Sequence, residues 1–421
     1  MKALLDIIGR HKEGQSVGVY SLCSAHPLVI EAAMHEAKAA AAALLIEATC
    51  NQVNQFGGYT GMKPGDFRGM VEEIAARADF PRERVWLGGD HLGPTPWQKE
   101  SADVALGHAE VLVEQYVAAG FRKIHLDCSM ACADDSVPLA EPVVASRAAR
   151  LGAIAERAWR QHGGEPQVYV IGTEVPKPGG AAEDLAELAV TTPQSAESTI
   201  VAHRKAFADA GLSATWPRVI ALVVQPGVEF DHHKAVDYAP AKARTLSDFI
   251  ARDAQFVFEA HSTDYQTPAH LEALVRDHFA ILKVGPAATF ALRETLWALE
   301  AIERELPGLT QRSRLREVVL AVMRANPRHW RDHYGAGASI DLEYSLSDRI
   351  RYYWPHPDVQ QACDTLLGNL RMNSLPLTLL SQYLPRQYEA IREGRLACTV
   401  DALLRDGIAA ALRPYHRACG S

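Results

Sequence analysis

The sequence predicts an α/β fold: a (β/α)8 TIM barrel over residues 1–305, followed by a helical C-terminal extension over residues 306–421. Three observations predict it. Eight short apolar runs recur along the first part of the chain, and stretches with helical periodicity separate them. Polar side chains able to do chemistry collect where the runs end.

In chain order the runs are VGVYSLC (17–23), ALLIEAT (43–49), VWLGGDH (85–91) and KIHLDCS (123–129). They continue with QVYVIGTE (167–174), VIALVVQP (219–226), FVFEAHS (256–262) and AILKVGPA (280–287). Most are near-continuously apolar, the pattern of strands covered on both faces in a parallel sheet. Helical periodicity fills 28–41, 64–79, 98–119, 139–161, 195–211, 240–253 and 267–278. Strict alternation gives a parallel sheet, and eight repeats favour its closure. An open doubly wound sheet is the alternative, but no Gly-rich turn follows the first run. In a closed barrel every strand ends at one mouth. Ser24, His26, Glu47, Asp90, His91, Asp127, Glu174, Gln225, His261 and Lys283 would then form one ring.

Past about residue 305 the pattern becomes helical, near 312–325, 357–370, 376–391 and 400–413. A loop at 327–357, rich in aromatic residues and arginine, is long for a connector. It is expected to cover part of the barrel or to make a subunit contact, as in a homo-oligomer.

Composition narrows the function classes. With 48% hydrophobic residues among 421, the chain can bury a sizeable core. A net charge of −8 argues against nucleic acid, and no apolar run is long enough for a membrane span. The N-terminus MKALLDIIGRHKEG reads as an amphipathic helix, not a signal peptide. Seven scattered cysteines without CxxC spacing suit reduced thiols and a cytoplasmic location.

The sharpest local motif is GGDHLGP (88–94). Its glycines allow close backbone approach, and Asp90 and His91 stand together at a strand end. A neutral imidazole suits zinc or a similar divalent ion, and the neighbouring carboxylate suits a base; a helix-capping pair is the plainer alternative. His261, in EAHSTDYQ, ends the seventh run and could share a metal with His91, or be a satisfied core histidine. Glu47, Asp127 and Glu174 end otherwise apolar runs, so each needs a cation, a metal or hydrogen-bond donors nearby. Glu174 is the expected third metal ligand, and Asp127 is placed to orient His91.

Lys283 admits a Schiff base with a ketose, a phosphate contact or a plain ion pair. Gly285 and Thr289 lie where barrels bind phosphate on backbone N–H groups, and Arg349 and Arg351 also leave a phosphorylated sugar open. Asn51, Asn54 and Gln55, in the polar loop 51–67, suit hydroxyl recognition, and Ser24, His26 and Gln225 complete the expected substrate contacts. Asp231-His232-His233 reads as solvated surface. GGYTGMKP does not complete a phosphate-binding P-loop.

At GGDHLGP (88–94), IEATCNQVNQFGGYTGM (46–62), KIHLDCSM (123–130) and YSLSDRIRYYW (344–354), the sequence resembles the GatZ/KbaZ family. The resemblance runs from SAHPLVIEAA (24–33) through the extension. It implies a TIM barrel related to class II aldolases and a link to galactitol, tagatose or N-acetylgalactosamine breakdown. The family takes its name from a non-catalytic partner of the class II D-tagatose-1,6-bisphosphate aldolase. Members have also been assigned ketohexose 4-epimerase activity, and older labels call some a tagatose-6-phosphate kinase. Asp90 and His91 match the aldolase Asp-His pair, His261 a further zinc histidine, and Glu174 a metal-linked carboxylate. The other histidines and the Gly-rich phosphate loops of catalytic aldolases are not recognisable.

Two expectations follow. The first is an enzyme in which His91, His261 and Glu174 hold zinc, manganese or another divalent ion while Asp90, or another mouth carboxylate such as Glu47 or Asp127, moves a proton of a ketose or ketose phosphate. The second is a stabilising subunit of a catalytic aldolase.

Overall fold

The computed structural model describes residues 1–175, 188–335 and 339–420. Its eight main strands are β1 (Val19–Leu22), β2 (Leu44–Thr49), β3 (Val85–Leu92), β4 (Lys123–Leu126), β5 (Val168–Ile171), β6 (Val219–Val224), β7 (Val257–Ala260) and β8 (Ile281–Val284). Each pairs in parallel with its sequence neighbours, and β8 pairs with β1, so the sheet is a closed barrel. The predicted fold class is the observed one.

Within each strand the side chains alternate. Ile124 and Leu126 of β4, Phe258 and Ala260 of β7, and Leu282 and Val284 of β8 pack outward against the helices. Val257, Ile281, Leu45, Trp86, Val168 and Val170 point the other way, into an inner core at the N-terminal end of the barrel. The amphipathic helix Lys2–Lys12 closes that end with Leu4 and Ile8.

The helices between strands begin in a common way. Pro27, Pro64, Pro193, Pro240, Pro268 and Pro286 each sit in the first turn. There the missing N–H costs nothing and the fixed φ suits the helix.

The extension differs from expectation in two places. The single helix expected at 376–391 is two, Leu377–Tyr383 and Pro385–Arg392, broken at Pro385. The last helix does not stop near 413 but runs Val400–Cys419, through Pro414. Tertiary packing overrides the proline. The Tyr415 hydroxyl donates to the Thr263 carbonyl (2.6 Å), Tyr20 and His416 meet at 2.8 Å, and Gly18 N–H donates to the Cys419 carbonyl at 3.0 Å. The chain end is thereby stitched to β1 and to the loop after β7. No helix among the described residues is long and apolar enough to cross a membrane.

Candidate active site

The inward alternation that builds the apolar floor places a charged layer above it. Glu47 of β2, Asp90 and His91 of β3, Lys123 and His125 of β4, Glu259 of β7 and Lys283 of β8 are all buried there. Asp127 and His261 stand one residue beyond β4 and β7.

Two adjacent residues normally face opposite sides of a strand, yet Asp90 and His91 both belong to this layer. The pairing of β3 with β4 shifts register between Gly89 and Leu92, and His91 is left-handed with φ +50. The flanking glycines make room. A Cβ on Gly88 would lie 2.5 Å from the Glu47 carboxylate, and one on Gly93 only 1.7 Å from the Asp127 carbonyl oxygen.

Lys123 Nζ bridges Glu47 (2.7 Å) and Glu259 (2.6 Å). Lys283 Nζ pairs with Glu47, with Asp90 at 2.9 Å and with Glu259 at 3.7 Å. Burial alone would push the Asp90 carboxyl up, but His91 and Lys283 overcome it and hold it well below the usual range. Glu259 is likewise held well down against its burial by Lys123 and Lys283. Burial opposes the charge on Lys283, yet Asp90, Cys23, Glu47 and Glu259 raise it well above an ordinary lysine. The ion pairs of Lys283 with Glu47, Asp90 and Glu259 fit the plain ion-pair alternative and favour the charged amine over the free amine that a Schiff base needs.

Three imidazoles meet above the ion pairs. The rings of His91 and His261 have centroids 4.9 Å apart, and His125 lies 5.2 Å from each. His91 Nδ1 faces Asp127 at 2.7 Å, which turns Nε2 toward Asp90 Oδ2 at 3.6 Å. Burial works against protonation of His91, but Asp90 and Asp127 raise it. His261 Nε2 sits 2.9 Å from Glu259, and burial brings its pKa down to about 4. His125 Nδ1 faces Asp90 at 2.9 Å, while its buried Nε2 has no hydrogen-bond partner among the described residues.

These residues fit a divalent ion. Donor atoms of Asp90, His125, Glu259 and His261 lie within 4.8 Å of one another. The four carboxylates Glu47, Asp90, Asp127 and Glu259 face two ammonium groups and the His91 imidazole, so carboxylates outnumber the fixed cations and a metal cation would be welcome. The bare His125 Nε2 supplies an unspent donor.

A mouth cavity opens over this layer. Asp90, His91, His261 and Lys283 line it, together with Asn51, Gln52 and Tyr59 of the loop after β2. Arg351 and Tyr352 bring the long loop of the extension into the lining, where the Tyr352 ring meets that of Tyr59 at 4.6 Å.

Several expected residues are placed elsewhere. Glu174 is not with the histidines. β5 ends at Ile171, and by residue 174 the chain has left the barrel, so the exposed carboxylate accepts from the Thr191 and Ser195 hydroxyls. Gln225 folds its own turn, its Oε1 accepting from Gly227 N–H (2.8 Å) and Val228 N–H (3.0 Å). Gln55 donates to the His108 carbonyl, and Asn54 caps its own loop. Ser24 and His26 line an outer cavity beside the mouth, where His26 Nδ1 caps the helix Pro27–Ala39 and its ring packs edge-on to Trp354.

The phosphate cradle expected at Gly285 and Thr289 is already filled. Asp264 accepts from Gly285 N–H (2.9 Å) and Ala287 N–H (2.8 Å), and Thr289 donates to Asp348. His232 is not solvated surface: it ties the barrel to Ser347 and to the His333 carbonyl of the extension. Lys123, His125 and Glu259 escape the reading of uniformly apolar strands, as do Gln52 and Tyr59 of the loop. The i, i+2 spacing of Lys123-His125-Asp127 and of Glu259-His261 is the signal that marks one inward face.

The sequence profile of the D-tagatose-1,6-bisphosphate aldolase subunit GatZ/KbaZ-like family matches residues 4–420. The chain belongs to the GatZ/KbaZ-like family. It is 46% identical to a protein from Sinorhizobium meliloti 1021 described as a probable tagatose 6 phosphate kinase, with a TM-score of 0.87 over 96% of this chain and 100% of that one. The YdjI aldolase from Escherichia coli K12 is 12% identical, with a TM-score of 0.40 over 87% of this chain and 95% of that one. The fructose-bisphosphate aldolase from Campylobacter jejuni is 13% identical, with a TM-score of 0.39 over 88% and 92%. Neither of these distant likenesses bears on the chemistry. Membership makes this GatZ/KbaZ-like chain a carbohydrate protein of the tagatose-bisphosphate aldolase type, with a buried His/Asp/Glu group that could hold a metal.

Proposed function

We propose that the chain is a divalent-metal-dependent enzyme acting at the C3–C4 bond of a ketohexose or its phosphate. Epimerisation at C4 by retro-aldol and aldol steps is the principal reaction, and aldol cleavage is the same chemistry stopped halfway. The observation that carries this reading is the meeting of His91, His125 and His261 with carboxylates that outnumber the ammonium groups of the layer.

His125 and His261, with Glu259, would hold the ion, while the expected ligand His91 falls outside that donor group and stands beside Asp90; imidazoles suit zinc, and a larger carboxylate share suits manganese. When bound, the ion supplies Lewis-acid polarisation of the C2 carbonyl and its neighbouring hydroxyl. Asp90, unprotonated and fixed by Lys283 and His125, takes the C4 hydroxyl proton as the C3–C4 bond breaks. The electron pair of that bond passes into an enediolate over C2 and C3, leaving an aldehyde at C4. The Lys283 ammonium stands beside Asp90, where it opposes the negative charge that develops. Turning the aldehyde and re-forming the bond returns the proton from Asp90 to the C4 oxygen and gives the epimer. Escape of the aldehyde gives cleavage.

The test is metal analysis of the purified chain, followed by incubation with tagatose and fructose, free and phosphorylated, with and without chelator. Stoichiometric metal and chelator-sensitive turnover are expected, and the products separate epimerisation from cleavage. No metal after reconstitution and no turnover would sink the proposal. The family description names a subunit, which favours a second reading: a stabilising partner of a catalytic class II aldolase. Co-purification with such a subunit, and inactivity alone, would favour that reading. The full set of titratable groups at the mouth supports chemistry of its own.

A further inference from the structure

The extension also brings a cationic group to the lining of the mouth. The turn Arg349–Tyr352 of the extension sets two guanidinium groups about one ring, Arg349 at 5.7 Å and Arg351 at 4.5 Å from the Tyr352 centroid. Arg349 is only 6% exposed; it donates to the His329 carbonyl at 2.7 Å, and its Nε has no partner among the described residues. Arg351 donates to the carbonyls of Ser347 and Asp348 (3.0 Å, to the latter) and to the Tyr352 hydroxyl at 2.9 Å. It lines both the mouth and the outer cavity beside it.

Among the described residues neither guanidinium has a carboxylate within ion-pairing distance. The acids of this neighbourhood are committed elsewhere: Asp348 accepts from the Thr289 hydroxyl, and Asp264 accepts from the backbone at Gly285 and Ala287. A buried and a half-buried guanidinium side by side, with Asp348 near but neither in an ion pair among the described residues, form a cationic spot that a ligand anion would neutralise. The filled cradle after β8 makes the same point from the other side. An anion entering this mouth finds the backbone N–H groups of Gly285 and Ala287 taken by Asp264 and Lys283 paired with carboxylates, whereas the guanidinium of Arg351 is a cationic donor in the lining outside any ion pair among the described residues.

We propose that Arg351, presented by the extension, is the receptor for an anionic group on the terminal carbon of the substrate, either a phosphate ester or a carboxylate. The extension thereby sets the specificity of a site whose reactive groups all come from the barrel. This rests on reading the mouth as a ketose site. One end of the chain would lie at Asp90 and the histidines, and the charged end at Arg351.

The test uses full-length wild-type, R351M and R351K chains, with inorganic phosphate binding read by calorimetry. It is paired with kcat/KM for a neutral ketohexose, its 6-phosphate and the corresponding 6-carboxylate. Phosphate binding should weaken on the order of tenfold to a hundredfold in R351M and recover in part in R351K, which keeps the charge but loses the planar fork. The preference for an anionic over a neutral sugar should fall by a similar factor, in KM more than in kcat. The anion with the larger Arg351-dependent preference is the one the site takes. Should R351M fail to fold, several-fold weakening in R351K against wild type still supports the proposal. Equal phosphate affinity in the folded chains, or no binding to wild type, overturns it. Arg351-dependent phosphate binding without turnover of any ketose would refute the proposed reaction while leaving the anion receptor standing.

Discussion

Near the N-terminal end of the barrel the inward residues are Leu45 on β2, Val257 on β7 and Ile281 on β8; two residues along, they are Glu47, Glu259 and Lys283. A single pleat repeat, about 6.6 Å of strand, separates a hydrocarbon floor from a layer of buried charge. On β5 and β6 the same step changes nothing, for Val168 gives way to Val170 and Ala221 to Val223. The floor is held by close packing and closed by Leu4 and Ile8. The charged layer is held by mutual compensation, and each member stands only while its partners do. The floor should therefore lose stability when altered, and the mouth should lose function, stability or both according to which charge is removed.

Asp90→Asn should show the largest effect. It keeps the shape of the side chain but removes the proton acceptor, and kcat should fall on the order of 10³- to 10⁴-fold. Initial rates with the metal-loaded variant measure it. A fall of less than tenfold would assign the proton transfer to another group.

Lys123→Met should come next, and should appear in folding. It leaves Glu47 and Glu259 buried without the ammonium that bridges them, a loss of about 3–5 kcal/mol in denaturant unfolding. Adding Glu259→Gln should restore part of that loss, because it removes one of the stranded charges. If the double variant is no more stable than the single one, the two residues are not coupled.

Leu4→Ala tests the floor alone. The cavity it opens under the barrel should cost about 2–4 kcal/mol, while kcat per folded molecule stays unchanged. A change in kcat would mean that the plug and the mouth communicate.

The floor and the mouth also differ in how far the sequence reveals them. Periodicity is enough for the barrel, because an apolar run between helical stretches has few other uses. The same reading hides half of the site. Treating KIHLDCS as uniformly apolar passes over Lys123 and His125, although their spacing with Asp127 marks a single inward face. EAH carries Glu259 and His261 in the same way. The end of a run is also a poor guide to the end of a strand. Asp127 and His261 lie one residue beyond β4 and β7 and remain inside, whereas Glu174 lies three residues beyond β5 and has turned out to solvent. Arg351 belongs to a loop whose arginine and aromatic content is visible in the sequence. Its place at the mouth comes from long-range packing, including the contacts that His232 makes with the extension.

The smallest expected effect is a pH dependence that separates the two ends. At the floor, His11 Nε2 and His278 Nδ1 meet at 3.0 Å, and His11 Nδ1 faces the Val17 carbonyl at 2.7 Å. Burial, then the neighbouring His11, brings the His278 pKa down from 6.5 to about 4. The unfolded chain takes up that proton first, so stability is complete above pH 6.5 and drains away as pH falls toward 4. The carboxylates of the mouth behave differently. Asp90 and Glu259 are held well below their ordinary values, so their contribution is present at neutral pH and is lost only below about pH 4. His278→Asn should flatten part of the upper window and leave the lower one as it was. Residue 278 has φ +74, which asparagine tolerates, and its amide can keep a hydrogen bond to His11, so stability at pH 7.5 should stay within about 1 kcal/mol of wild type. Urea midpoints between pH 7.5 and 3 measure both windows. His203 and His26, also brought to about 4 by burial, will leave some slope in the variant. An unchanged slope between pH 6.5 and 4 would show that the histidine pair under the barrel is not a site of acid sensitivity.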